Sequence, residues 1–547
     1  MPIIRYDVER IRKLVGVDLD LSKLTELLEK LKAEVETVTE NYVEVELEVD
    51  RVDLYTHEGL ARALKGLLGI EKGLPRYNIV SSDIRIVVEN VETRPYVAGF
   101  AVYNVNLSND DIAEIMEFQE RVHHSVGGDR VRVAIGIHDL DKIPSREIRY
   151  RMADIESEYM KPLGYGRIMS LSQVIRETEQ GRKYGSISLR KSMHPVLESN
   201  GVIISMPPVI NSEETKVTTS TRNLFVDITG IDERIVDDVA ALLATTLAEK
   251  SLDRKIGVVE VVAKGSSRKT PRLEPLRVTL DIRKASKLLG VELDANLVRE
   301  VLSAMRMDVV GEGDNLQVLV PRYRLDILHW VDIAEEIAIA IGYEKFKSIR
   351  PLRMMRGGYL HFRVLERKLR RILVGYGFQE VYTFTLTSCR EQEEAGVPRK
   401  ELIVVSNPVS SELECVRATL IPHLLKVAEK NQHIIPLKVF EIGEAYRVRE
   451  PKTIDYLRLL AVLIMDKKVG YEDIQAIVYG VVRMLGDEIV EVKPTNHPLL
   501  INGRVALIRT KKGLEGILGE VKPEVLATRG IEYPVAVAEI RYYTLQS

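Results

Sequence analysis

Four carboxylates crowd one short stretch, "RYRLDILHWVDIAEEIAIAIGY", residues 322 to 343: Asp326, Asp332, Glu335 and Glu336. At helical spacing Asp332, Glu335 and Glu336 share one face, while Ile333, Ile337 and Ile341 form an apolar stripe. Three carboxylates on one turn repel one another, so something must answer their charge. Helix-end chemistry is one answer, with Asp332 as N-cap, Glu335 as its capping-box partner and the helix dipole favouring all three. A hard cation is the other, because Mg2+ takes oxygen ligands and keeps part of its water shell. The residues alone leave both open.

A second set of polar groups lies in "SNGVIISMPPVINSEETKVTTSTRNLFVDITGID", residues 199 to 232. Pro207 and Pro208 end the apolar strand "GVIISM", and Asn211 and Ser212 stand at the mouth of the next. In "NLFVDITG" period-two alternation puts Phe225, Asp227 and Thr229 on one face and Leu224, Val226 and Ile228 on the other. One face thus joins an aromatic ring to two hydrogen-bonding groups, a mixture that suits a small-ligand pocket but that composition alone favours as an ordinary strand end. "GIHDLD" at 136 to 141 sets His138 beside Asp139, a pair that without further ligands is a weak metal signal.

The elements that carry the first cluster occur twice. "YDVERIRKLVGV" (6 to 17) reads against "LDIRKASKLLGV" (280 to 291), and each is followed by an amphipathic helix, an alternating strand ("VEVELEV" or "LQVLVP") and a last helix. In this register Arg51 and Asp53 match Arg324 and Asp326, which predicts an ion pair belonging to the shared fold. Gly59, Arg62 and Ala63 occupy the positions of Asp332, Glu335 and Glu336. The fold therefore does not require those three acids, and their presence in one copy points to a cation or a basic partner surface.

At 547 residues, 45% hydrophobic and 29% charged, the chain reads as a globular protein of roughly three to five domains. No apolar run approaches a bilayer span, and the amphipathic "MPIIRYDVERIRKL" is not a signal peptide. A net charge of -3 argues against coating nucleic acid by bulk charge. The basic runs "KGSSRKTPR" (264 to 272) and "FRVLERKLRR" (362 to 371) read as a solvated linker and a charged helix face. Cys389 and Cys415 imply neither a disulfide framework nor a zinc ribbon, so a reducing cytoplasm is expected.

Together "GIHDLD", "SNGVIISMPPVIN", "TRNLFVDITG", the acidic helix and "SNPVSSELECVRATLIPHLLKVAEKNQ" with "LKVFEIGEAYR" make the chain resemble, over nearly its whole length, the beta subunits of phenylalanyl-tRNA synthetases in their shorter archaeal and eukaryotic form. The resemblance implies an α+β multidomain chain: a first copy of the repeat (1 to 88), an α/β editing domain (89 to 270), a second, magnesium-binding copy (275 to 347) and a catalytic-like class II synthetase module with an antiparallel sheet (350 to 547). It implies Mg2+ as cofactor, on Asp326, Asp332, Glu335 and Glu336, structural and near a partner surface. It implies an editing pocket near Leu197, Ser205, Asn211, Asp227 and Thr229 that hydrolyses tyrosyl-tRNA(Phe). Its partners would be an alpha subunit in an alpha2beta2 heterotetramer and tRNA(Phe), with ATP and phenylalanine bound through the holoenzyme.

Class II modules carry an arginine-bearing motif for ATP phosphates and a glycine-rich motif ending in arginine, and "VFEIGEAYRV" and "GLEGILGEVKPEVL" reproduce neither. No residue of this chain is therefore expected to be catalytic for aminoacylation, which falls to the alpha subunit. Neither the oligonucleotide-binding nor the anticodon-binding domain of bacterial members is evident. A tRNA-binding scaffold without editing is the alternative. A metal-dependent phosphoryl transferase is the poorest reading, because no phosphate-binding glycine loop accompanies the acids. No serine, cysteine or histidine constellation of the nucleophilic type is visible, so a substrate-positioned water is the expected attacking group.

Overall fold

The structure is a computed structural model that describes residues 2–263, 265–350, 356–449 and 453–546. The chain divides into two compact units, 1–349 and 350–547.

The first unit contains the repeat. Strands Ile3–Asp7, Ala33–Val38 and Tyr42–Leu47 form a three-stranded antiparallel sheet with the last strand in the middle, and Leu276–Asp281, Asp308–Val310 and Asn315–Val320 form another in the same order. The local reasons are also duplicated. Asp7 and Asp281 cap the first helices, Val8–Val15 and Ile282–Leu289, by accepting backbone N–H groups, and Gly16 and Gly290 end them in the left-handed conformation at φ 83° and 72°. Each copy closes with an apolar helix, His57–Leu67 or Trp330–Ile341.

Between the copies lies a ten-stranded sheet. Its order runs 210–211, 202–206, 193–199, 147–154, 78–89, 255–263, 96–102, 224–230 and 133–139, with 266–270 branching from 255–263. Strand Asn78–Glu89 pairs in parallel with both Lys255–Ala263 and Glu147–Asp154. The first copy therefore gives way before residue 78, earlier than the boundary at 88 expected from sequence. The basic run read as a linker is also strand: Ser266–Thr270 pairs with Lys255–Ala263, and Arg268 reaches Asp237 at 2.7 Å, while Lys264 lies outside the described residues. Helices Asn109–His124 and Glu233–Ala248 cover one face of the sheet, burying Phe118, Val122, Val236 and Leu243 against Phe100, Ile135, Val226 and Ile228.

In the second unit a seven-stranded sheet, antiparallel except for Gln379–Glu380, is covered on one face by helices His361–Gly375 and Tyr471–Met484 and on part of the other by Ile421–Lys430. Cys389 and Cys415, whose spacing implied no disulfide framework, form a disulfide here. The cause is local pairing: Thr387 is the register partner of Cys415, so Cys389, two residues on at the head of its helix, comes to a Cα separation of 5.0 Å.

Candidate functional site

A cavity of about 360 Å3 opens at the edge of the central sheet. Its walls come from helix Asn109–His124 (Ile112, Met116, Glu120), strand Val133–Asp139 (Gly136, Ile137) and the segment from Ser205 to Val217. Asn211 and Ser205 both line it, and the Ser205 hydroxyl donates to Asn211 Oδ1 at 3.0 Å. These two residues are register partners on adjacent short strands.

The floor is built by cross-strand pairing. Asp227 lies opposite Gly136 in the ladder, and Phe225 opposite His138. Because position 136 carries no side chain, three polar groups close over its Cα: a Cβ there would stand 2.1 Å from Asp227 Oδ2, 2.9 Å from His138 Nε2 and 3.0 Å from Asn211 Oδ1. The other neighbour of Asp227 is also a glycine, Gly99. His138 Nε2 meets Asp227 Oδ2 at 2.9 Å and its Nδ1 meets Thr215 Oγ1 at 2.8 Å. The side chains of His138 and Asp227 are 0% and 1% exposed, and Asp227 Oδ1 has no hydrogen-bond partner among the described residues.

The five residues expected at an editing pocket therefore separate into two groups. Ser205, Asn211 and Asp227 converge around Gly136. Leu197 and Thr229 are buried away from the cavity wall, Leu197 in the apolar cluster with Tyr150 and Phe225, and Thr229 against Arg94, whose guanidinium donates to the Thr229 carbonyl at 2.8 Å and to its hydroxyl at 3.3 Å. Burial without a carboxylate partner holds Arg94 down at about 10. The alternation expected for strand Leu224–Gly230 is observed, with Leu224, Val226 and Ile228 in the helix-facing core and Phe225 in the opposite one. Gly136, His138 and Thr215 were not singled out as site residues by sequence, although "GIHDLD" contains two of them.

The four acids of the second copy are each engaged by the protein. Asp326 and Glu336 both hold the buried Arg324 guanidinium, at 2.6–2.8 Å and 2.7–2.9 Å. Glu335 pairs with Lys32 of the first copy at 2.9 Å. Asp332 is the third helical residue and not the N-cap: His329 is the N-cap, and Asp332 accepts the backbone N–H groups of Leu328 and His329 at 2.8 and 2.7 Å. Among the described residues these carboxylates do not gather around one point within reach of a single ion. As placed they do not fit Mg2+, which requires several oxygens converging at about 2.1 Å.

Their charge is answered partly within the copy, by Arg324 and backbone N–H groups, and partly by the other half of the duplication. Arg51 and Arg324 line the same small space between the copies. Burial and Arg324 oppose the charge on Arg51, while Asp53 and then Glu336 favour it and leave it raised above the ordinary guanidinium value. Arg51 keeps the predicted ion pair with Asp53 at 2.9 Å, but its Nη1 has no partner. Arg62, at the position of Glu335, stacks 3.7 Å over the ring of Tyr323. Glu335 and Glu336 thus meet a basic surface, and that surface is the first copy.

In the second unit a larger cavity, about 630 Å3, lies on the sheet face that Ile421–Lys430 leaves open. Two of its arginines are answered by acids, Arg449 by Asp455 and Arg541 by Glu515, whereas Arg447 stands 3.9 Å from Glu401 and its Nε has no partner among the described residues.

Comparison with known proteins identifies the family. Residues 347–542 match the model described as phenylalanyl tRNA synthetase beta chain CLM domain, and residues 278–343 match the tRNA synthetase B5 domain. The phenylalanine–tRNA ligase beta subunit of Aeropyrum pernix is 40% identical over 99% of this chain and 98% of its own length, and that of Saccharolobus solfataricus is 36% identical over 96% and 95%. An N-terminal fragment of the phenylalanyl-tRNA synthetase beta subunit from Pyrococcus horikoshii superposes with a TM-score of 0.59 at 34% identity, covering 62% of this chain and all of the fragment. These relatives are aminoacyl-tRNA synthetase subunits, which sets the class. Within it, the chain belongs to the family of phenylalanine–tRNA ligase beta subunits.

Proposed function

We propose that this chain is the editing and assembly subunit of a phenylalanine–tRNA ligase, hydrolysing tyrosyl-tRNA(Phe) in the central cavity while an alpha subunit activates phenylalanine with ATP. The observation that carries the reading is the polar patch at Gly136: Asn211 and Ser205 line the cavity there, and against the same side-chain-free strand position lies the buried Asp227, one of whose oxygens has no partner among the described residues. A synthetic pocket for phenylalanine cannot strongly reject an analogue that only adds a hydroxyl. A second pocket lined with hydrogen-bonding groups inverts the preference, because phenylalanine would leave those groups buried and unpaired. The cavity's size, at the small end of the ~300–1,000 Å3 typical of ligand pockets, suits one amino-acid side chain.

Residues 350–547 act in this proposal as a catalytic-like class II module that does not catalyse. Support comes from its open sheet face, where Arg449 and Arg541, cations that ATP phosphates could use, are committed to Asp455 and Glu515. Tyr382 and Phe384 are 79% and 82% exposed and alternate with polar neighbours, an apolar ledge that fits a protein partner in an alpha2beta2 assembly. No helix among the described residues is long and apolar enough to cross a membrane, and we place the complex in the cytoplasm with its tRNA. We assign no ion to Asp326, Asp332, Glu335 and Glu336. The test is co-expression with the alpha subunit and single-turnover deacylation: the holoenzyme should clear tyrosyl-tRNA(Phe) much faster than phenylalanyl-tRNA(Phe), and equal rates would make the chain a scaffold.

A further inference from the structure

We propose that Asp227, His138 and Thr215 form a proton relay that activates the attacking water, with Thr215 Oγ1 as its end at the cavity. The inference rests on the editing reading given above and names the group that performs the hydrolysis. The three residues are separated by 77 and 89 positions in sequence but meet in one line, Asp227 Oδ2 to His138 Nε2 at 2.9 Å and His138 Nδ1 to Thr215 Oγ1 at 2.8 Å. All three are at most 1% exposed, yet Thr215 also lines the cavity. The ladder sets the acid and the imidazole: strand Leu224–Gly230 pairs with Val133–Asp139 so that Asp227 and His138 lie on one face, with Gly136 leaving room between them. Thr215 ends the short turn Glu213–Thr215, which follows directly from Asn211 and Ser212.

The protonation pattern follows from the partners. A carboxylate can only accept, so the Asp227 contact assigns the ring proton to Nε2 and leaves Nδ1 as an acceptor for the Thr215 hydroxyl. The lone pairs on Thr215 Oγ1 then accept from a water in the cavity. In the reaction the water oxygen bonds to the ester carbonyl carbon, its proton moves to Thr215 Oγ1, and the Thr215 proton moves to His138 Nδ1. The resulting imidazolium is held by Asp227. When the tetrahedral intermediate collapses, the bond between the carbonyl carbon and the ribose oxygen breaks, and the proton returns through Thr215 to that oxygen. Free tyrosine and uncharged tRNA leave, and water is the only co-reactant. The arrangement uses the same roles as other acid–histidine–hydroxyl triads without an acyl-enzyme.

The experiment is single-turnover deacylation of tyrosyl-tRNA(Phe) by the holoenzyme, with phenylalanine charging as the folding control. Thr215→Val, isosteric but without the hydroxyl, and His138→Gln, able to donate to Asp227 but not to take up a proton, should each lower the rate constant on the order of 10²-fold or more with KM little changed. Thr215→Ser should restore most of the rate. The wild-type reaction should be slower in D2O, and this difference should vanish in His138→Gln. Equal wild-type rates in H2O and D2O, or full hydrolysis by Thr215→Val, would overturn the relay and leave the editing reading standing. A wild-type holoenzyme that charges phenylalanine but never clears tyrosyl-tRNA(Phe) would overturn the editing reading itself.

Discussion

Replacing Gly136 by alanine tests the floor of the cavity directly. The backbone of Gly136 needs no unusual conformation, so the penalty is steric: the new methyl would stand 2.1 Å from Asp227 Oδ2 and 2.9 Å from His138 Nε2. Neither group is the free end of a flexible chain, since Asp227 is a strand residue and the two side chains hold each other at 2.9 Å. Overpacking of this kind costs about 1–3 kcal/mol. Displacing the carboxylate from its donor adds about 1.5–3 kcal/mol for a hydrogen bond to a charged group, so the local loss is about 2.5–6 kcal/mol in all. A misplacement of 1 Å costs on the order of 10²-fold in rate. Hydrogen exchange of strands Val133–Asp139 and Leu224–Gly230 reads the local stability, and single-turnover deacylation reads the chemistry. Asp227→Ala removes the clash, so the double variant should be more stable than the sum of the two single losses by about 1 kcal/mol or more. Additive losses, or wild-type exchange in Gly136→Ala, would refute the steric argument.

Asn211→Ala should impair clearance of tyrosyl-tRNA(Phe) while sparing phenylalanine charging, measured as mischarged tRNA accumulating in the holoenzyme; one lost hydrogen bond is worth about 0.5–1.5 kcal/mol, roughly a threefold to tenfold weaker discrimination. The purified chain without an alpha subunit should show no phenylalanine-dependent pyrophosphate exchange. Glu336→Ala should cost about 3–5 kcal/mol in unfolding, because it leaves Arg324 and Arg51 facing each other with one acid fewer, whereas EDTA should leave the unfolding midpoint of the wild-type chain unchanged. Burial pushes the Asp326 carboxyl up, but Arg324 holds it down at about 2, below the ordinary 3.8. The ionised form is thus favoured in the folded state, so Asp326 contributes on the order of 2 kcal/mol above pH ~4. That contribution should be lost as pH falls through about 2, and Asp326→Asn should flatten the acid limb of the unfolding curve.

Much of the first unit is legible in sequence because its signals are local. Asp at the start and Gly at the end of each copy's first helix, with strict alternation in "VEVELEV" and "LQVLV", fix both copies of the repeat, and the Arg51–Asp53 and Arg324–Asp326 pairs are two residues apart. What sequence missed depends on distant partners. Glu336 looked dispensable because Ala63 stands at its position, but the charge it answers includes Arg51, 285 positions away. The Asp227–His138–Thr215 line is invisible for the same reason, since only the ladder that sets Asp227 opposite Gly136 brings it together. Asp332 was misread by one turn because the true N-cap, His329, is not among the residues that favour that position. The early start of the central sheet at Asn78 was hidden because that strand's first residues are largely exposed and carry little apolar alternation.

The acids of the second copy make the duplication behave like a heterodimer tied into one chain. Had both halves kept the sequence of the first, two arginines would confront each other with only their own aspartates and no counterpart of Glu336; had both kept the second, three extra acids would meet without Lys32 to receive Glu335. Divergence here is therefore a sorting rule. Exchanging the two halves within the chain would preserve both the local fold signals and the cross-copy pairing, whereas transplanting either half in place of the other would lose the pairing, and a nascent chain carrying only the first copy has Arg51 seated on Asp53 with Glu336 still to be synthesised.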